Sequence, residues 1–135
     1  MALMAAFSQH GNYTLAVRGQ VVFIAMIGTW NEECVASFEH DFPAFLQAEN
    51  VSGAWGALTD LCEWEGATPQ AMERIAANVS WLHGLGMAAS ARIVTDTFYN
   101  AMIDKAVEVN SPYQVFNNPE QGLAWLATLG FTQND

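Results

Sequence analysis

Positive charge is what this sequence has least of. Arg18, Arg74, Arg92 and Lys105 are its only cations, against fourteen Asp and Glu, and the formal net charge is -10. A nucleic-acid backbone or an anionic bilayer repels such a chain, so no nucleic-acid partner and no membrane insertion are expected. Long apolar runs are missing too. The longest, Val21 to Ile27, falls far short of the roughly 20 residues that cross a bilayer. Nothing basic precedes Arg18 and the apolar opening, Met1 to Phe7, is brief, so a secretory leader is not expected and the cytoplasm is the expected compartment. Cysteine is reduced to Cys34 and Cys62, too few for a disulfide scaffold at this size, and both are read as free thiols.

The absences extend to chemistry. There is no Gly-x-Ser-x-Gly elbow, no phosphate loop and no Cys-x-x-Cys. His10, His40 and His83 are scattered and read as surface residues. No catalytic constellation, metal site or cofactor is therefore expected. The acids Glu32, Glu33, Asp60, Glu63, Glu65 and Asp96 gather near helix starts, where carboxylates are favourable by about 0.3–1 kcal/mol each without any metal.

What is present is a core. At 135 residues and 52% hydrophobic, the chain makes one domain able to bury roughly two thirds of its unfolded surface. Residues 1–12 carry no firm pattern, 13–131 form the domain and 132–135 are a tail. Tyr13 to Arg18 alternates as a half-buried strand, and Gly19-Gln20 suits a tight hairpin turn. Val21 to Ile27 is apolar throughout, as in a strand covered on both faces. Thr29 and Glu32 stand at capping-box spacing before a helix with Val35, Phe38, Phe42, Phe45 and Leu46 inward, and Pro43 is expected to kink or restart it.

Trp55 to Asp60 reads as the next strand, followed by a polar loop that holds Trp64. Thr68-Pro69 caps a helix with Met72, Ile75, Ala76, Val79 and Leu82 inward. Ala88 to Val94 is a strand, and Thr95 to Thr97 caps a helix with Phe98, Met102, Ile103, Ala106 and Val107 inward. After a break at Ser111-Pro112, Tyr113 to Phe116 is a short strand. Asn118-Pro119 starts a last helix with Leu123, Trp125, Leu126 and Leu129 inward. The order β-β-α-β-α-β-α-β-α is an α/β domain, a hairpin followed by three strand–helix units, with a mostly parallel five-stranded sheet and helices packed against it.

In a parallel sheet the strand-to-helix loops emerge together, so Trp30, Asn31, Asp60, Trp64, Thr68 and Asp96 form the candidate binding edge. A phospho-accepting receiver is not what this edge suggests, because Phe116-Asn117-Asn118 supplies no Lys after the last strand. Trp81 falls with Arg74 and Asn78, opposite the inward stripe of its helix, and this trio is the candidate dimer or partner face. Trp64 reads either as a contact or as a lid on its own core.

From Tyr13 to Phe131, the hairpin, the strand–helix units and the final short helix resemble the STAS-like domains, the fold of anti-sigma-factor antagonists and of the SpoIIAA-like group. Sporulation-type members carry a phosphorylatable Ser or Thr in an Asp-Ser-Ser/Thr-Gly turn before the helix after the third strand. No such turn exists between Asp60 and Pro69, and Thr68 is the hydroxyl left as a candidate phosphosite. The resemblance implies a non-enzymatic protein-interaction module of bacterial signalling, with a protein partner or homodimer. The alternative it implies is a small apolar-ligand or lipid-binding domain, with Trp30 and Trp64 at the pocket mouth.

Overall fold

The computed structural model describes residues 10–97 and 113–134. The elements are β1 (Asn12–Arg18), β2 (Val21–Trp30), α1 (Glu32–Ala48), β3 (Trp55–Ala67), α2 (Pro69–Gly84), β4 (Met87–Ile93), β5 (Tyr113–Phe116) and α3 (Pro119–Thr128). The expected helix with Phe98, Met102, Ile103, Ala106 and Val107, and the break at Ser111-Pro112, lie outside the described residues.

The five strands lie in chain order, with β1 antiparallel to β2 and every other pair parallel. This is the mostly parallel α/β sheet expected. Successive β2 residues face opposite ways, and both ways are covered. Val22 and Ile24 join Val35, Phe38, Phe42 and Leu46 of α1, Ala71 of α2, and Trp55 and Ala57 of β3 in one core. Val21 packs on the other side with Leu58, Ala89, Ala91, Ile93 and Leu126 of α3. The unbroken apolar run of β2 follows directly from that double burial.

The structure departs from the sequence reading at several places. Of the two outcomes expected at Pro43, a kink or a restart, the restart does not occur: helix α1 is continuous from Glu32 to Ala48. Phe38 and Phe42 before the proline, and Leu46 after it, are all buried, each worth about 1.5–3 kcal/mol, enough to outweigh the ~3 kcal/mol a mid-helix proline costs. Its cap is Asn31, whose Oδ1 accepts from Cys34 N at 3.1 Å, and not Thr29. Residue 29 is unavailable because β2 continues to Trp30. Strand β3 likewise runs through the expected loop to Ala67, since the extended β2 gives it a partner as far as Trp30 opposite Ala67.

On α2, Met72 and Ala76 are exposed where the sequence suggested burial, and Leu129 after α3 is exposed as well. The tail is not loose, because Gln20 N donates to Thr132 O at 2.9 Å.

Helix α3 approaches the sheet closely at Gly122. A methyl there would meet Ile93 Cδ1 at 2.9 Å and Leu58 Cδ1 at 3.0 Å, whereas Gly84 at the end of α2 faces open space. Gly122→Leu is therefore expected to destabilise by about 1–3 kcal/mol through overpacking. Gly84→Ala is expected to stabilise by up to about 1 kcal/mol through helix propensity. Urea midpoints of the two variants against wild type check both signs.

Candidate functional site

The parallel strands end at different heights. Strand β4 stops at Ile93, opposite Asp60, while β3 runs on to Ala67 against β2, which reaches Trp30 with two bulges in β3 on the way. At about 3.3 Å per residue of β2, the length from Ala25 beside Asp60 to Trp30 beside Ala67 keeps Asp60 and Thr68 roughly 15–20 Å apart along the strands. The expected binding edge is thus divided in two.

One part surrounds the tip of β2 and β3. Trp30 is 2% exposed, not at a pocket mouth as expected. Its ring packs 5.6 Å from that of Tyr13 and 5.9 Å from that of Phe38, and Nε1 donates to Asn12 O at 3.0 Å. Its own carbonyl accepts from Thr68 N at 3.0 Å, so Trp30 ties β1, α1 and the start of α2 together. Asn31 is committed to capping, with Oδ1 also accepting from His10 N at 3.1 Å. The Thr68 hydroxyl accepts from Ala71 N at 3.3 Å, a standard N-cap. Trp64 is partly buried against the α1–α2 core, the lid arrangement, and its Nε1 is buried without a hydrogen-bond partner.

The other part lies at the end of β4. Asp60 accepts from Cys62 N at 2.9 Å, and Asp96 accepts from Asn117 Nδ2 at 3.0 Å. Cys62 Sγ sits 4.0 Å from Ile93 O. Burial first, then a hydrogen bond to Asp60 and its charge, and then the charge of Glu63, push this thiol up to about 11. Burial alone pushes Cys34 up to about 11. Neither sulfur is a thiolate at neutral pH, and both are free. Among the described residues, no three His, Cys, Asp or Glu side chains could share a metal ion.

The expected partner face of α2 turns inward. Arg74 Nη2 donates to Glu39 Oε1, and Asn78 Nδ2 donates to Glu39 Oε2 at 3.1 Å. Trp81 packs against the α1-side core, its ring centroid 6.3 Å from that of Phe42 and 6.4 Å from that of Phe38. These three side chains are the α1–α2 seam, because Glu39 on α1 supplies the countercharge that the α2 sequence alone could not show. His83 also differs from a surface residue. Its Nδ1 lies 2.7 Å from Met87 O, so that nitrogen carries the proton and donates, and Nε2 is buried.

Two features escaped the sequence reading. Arg92 places its guanidinium 4.0 Å from the centre of the Tyr113 ring, and burial lowers its pKa. A lone Arg inside Ala88-Ala-Ser-Ala-Arg-Ile93 was the available signal. At the opposite end of the sheet, a cleft of about 430 Å³ is lined by Arg18, Gln20, Glu49, Asn50, Ser52 and Gln133 among others. Its walls come from the first turn, the α1–β3 connection and the tail, segments that no local pattern brings together.

The thiols offer a test. The Asp60→Asn variant keeps the acceptor for Cys62 N but removes a charge that holds the thiol protonated. Its alkylation at mildly alkaline pH is expected to run roughly three- to tenfold faster than wild type, with Cys34 unlabelled in the native state. Mass-resolved iodoacetamide kinetics checks it, and an unchanged rate counts against the charge account.

No protein-family model and no curated protein matches the chain by sequence. Among solved structures, an uncharacterised protein of the DUF3478 family from Shewanella loihica PV-4, described as having a SpoIIAA-like fold, superposes with a TM-score of 0.64 at 17% identity. The match covers 87% of this chain and 94% of that one. Strand order, the leading hairpin and the placement of the helices agree with that likeness, and the chain has the SpoIIAA-like fold.

Proposed function

We propose that this chain is a non-enzymatic regulatory module of bacterial signalling that meets a protein partner through the outer face of α2. The observation that carries the reading is Met72, a large apolar side chain left 45% exposed on that helix. Ala76, Ala77 and Ser80 are exposed around it, and Glu73 is the charge among them. Small side chains let another backbone approach closely, and an exposed methionine gives an adaptable apolar contact. The same helix begins at Thr68, where the resemblance to sporulation-type relatives puts the regulated turn. Here the hydroxyl serves as a cap, accepting from Ala71 N.

The apolar-ligand reading keeps less support. It needed Trp30 and Trp64 at an open mouth, and Trp30 is enclosed with its N–H engaged.

The test is affinity purification from the native host with wild type and with Met72→Lys/Ala76→Glu, both sites being exposed. A protein that co-purifies with wild type and is lost with the variant, while unfolding free energy changes by less than about 0.5 kcal/mol, supports the proposal. Equal recovery with both removes α2 as the contact.

A further inference from the structure

A seven-residue strand, β1, closes one side of the sheet, and among the described residues no strand pairs with its outer edge. Edges of this kind are ordinarily blunted by proline, lysine, inward charge or a bulge. Strand β1 reads Asn-Tyr-Thr-Leu-Ala-Val-Arg, holds none of the fourteen acids, and pairs with β2 through seven consecutive residues without a shift. Two copies at -10 each repel one another in general, but not along this line.

The backbone sets which groups face out. Gly19-Gln20 is a two-residue turn between Arg18 and Val21, which makes those two a hydrogen-bonded pair. Alternation along an antiparallel ladder then turns the amides and carbonyls of Tyr13, Leu15 and Val17 outward, where the Tyr13 amide donates to Asn12 Oδ1 at 2.8 Å and exchanges that side chain for a strand carbonyl on pairing. The same three side chains are half-buried against the α1-side core, while Asn12, Thr14, Ala16 and Arg18 are exposed on the other face.

We infer that β1 pairs with β1 of a second copy, antiparallel and about a two-fold axis through Leu15, to make one continuous ten-stranded sheet. The sequence is self-complementary in that register. Leu15 meets the partner's Leu15, and Tyr13 meets the partner's Val17 twice over, an aromatic–β-branched pairing favoured across strands. On the other face Thr14 meets the partner's Ala16, and Arg18 meets the partner's Asn12, so no like charges oppose. Asp41, which accepts from Tyr13 Oη at 2.6 Å, is carried to opposite ends of the seam in the two copies. This contact is separate from α2 and does not rest on its proposed role.

Sedimentation velocity of the full chain across micromolar to submillimolar concentration tests the pairing. Wild type is expected to dimerise. Thr14→Lys/Ala16→Lys sets lysine opposite lysine twice and is expected to weaken the dimer at least about tenfold. Thr14→Lys/Ala16→Glu sets lysine opposite glutamate in the same register and is expected to stay within about threefold of wild type or tighten. Both positions are exposed, so circular dichroism and melting should be preserved in either variant. A monomeric wild type overturns the inference, as it would if residues 1–9 filled the edge. So does a dimer that the two variants leave unchanged or weaken alike.

Discussion

Burial of β2 on both faces is the constraint on which the rest of the molecule depends. Its even-numbered residues need α1 and α2, its odd-numbered ones need α3, and its two edges need β1 and β3. Removing any one of these neighbours exposes part of a strand that has no polar side to turn outward until Thr29. That is why, among the described residues, the two crossover helices α1 and α2 pack on one face. The handedness of strand–helix–strand connections allows little else once the strands are laid down in chain order.

Where burial writes a period into the sequence, the fold was legible. The half-buried alternation of Tyr13 to Arg18, the apolar run of β2, the inward stripe of α1 and the proline-marked starts of α2 and α3 could all be read locally. What could not be read was the last third of β2 and the second half of β3. Glu63, Glu65 and Gly66 have poor strand preference and the two glutamates face water, so neither propensity nor hydrophobic period marks the segment. They are strand because each segment supplies the other's hydrogen bonds, a property of the pair and not of either sequence.

The site was less legible for the same reason. Thr68 and Asn31 were recognisable as residues that cap, and they do. The two faces of α2 were exchanged in part, because its helical wheel holds few strongly apolar residues and the polar stripe looked outward. In the structure Glu39, thirty-five residues earlier, reaches Arg74, and the aromatic rings of α1 receive Trp81. An ion pair between two helices can turn a polar stripe inward, leaving methionine and alanines to the solvent. At 39% and 27% side-chain exposure this pair is partly screened, so it orients α2 more than it stabilises the fold.

The hydrogen bond from Gln20 to Thr132 joins the β1–β2 turn to the segment that follows α3, and Gln20 O in turn accepts from Gly56 at the start of β3. A hairpin is otherwise the most local of structures and forms early. Here its turn is held in place by Thr132, far downstream in the sequence. During translation β1 and β2 can pair while the chain is still emerging, but this end of the sheet stays unlatched until Thr132 has emerged as well.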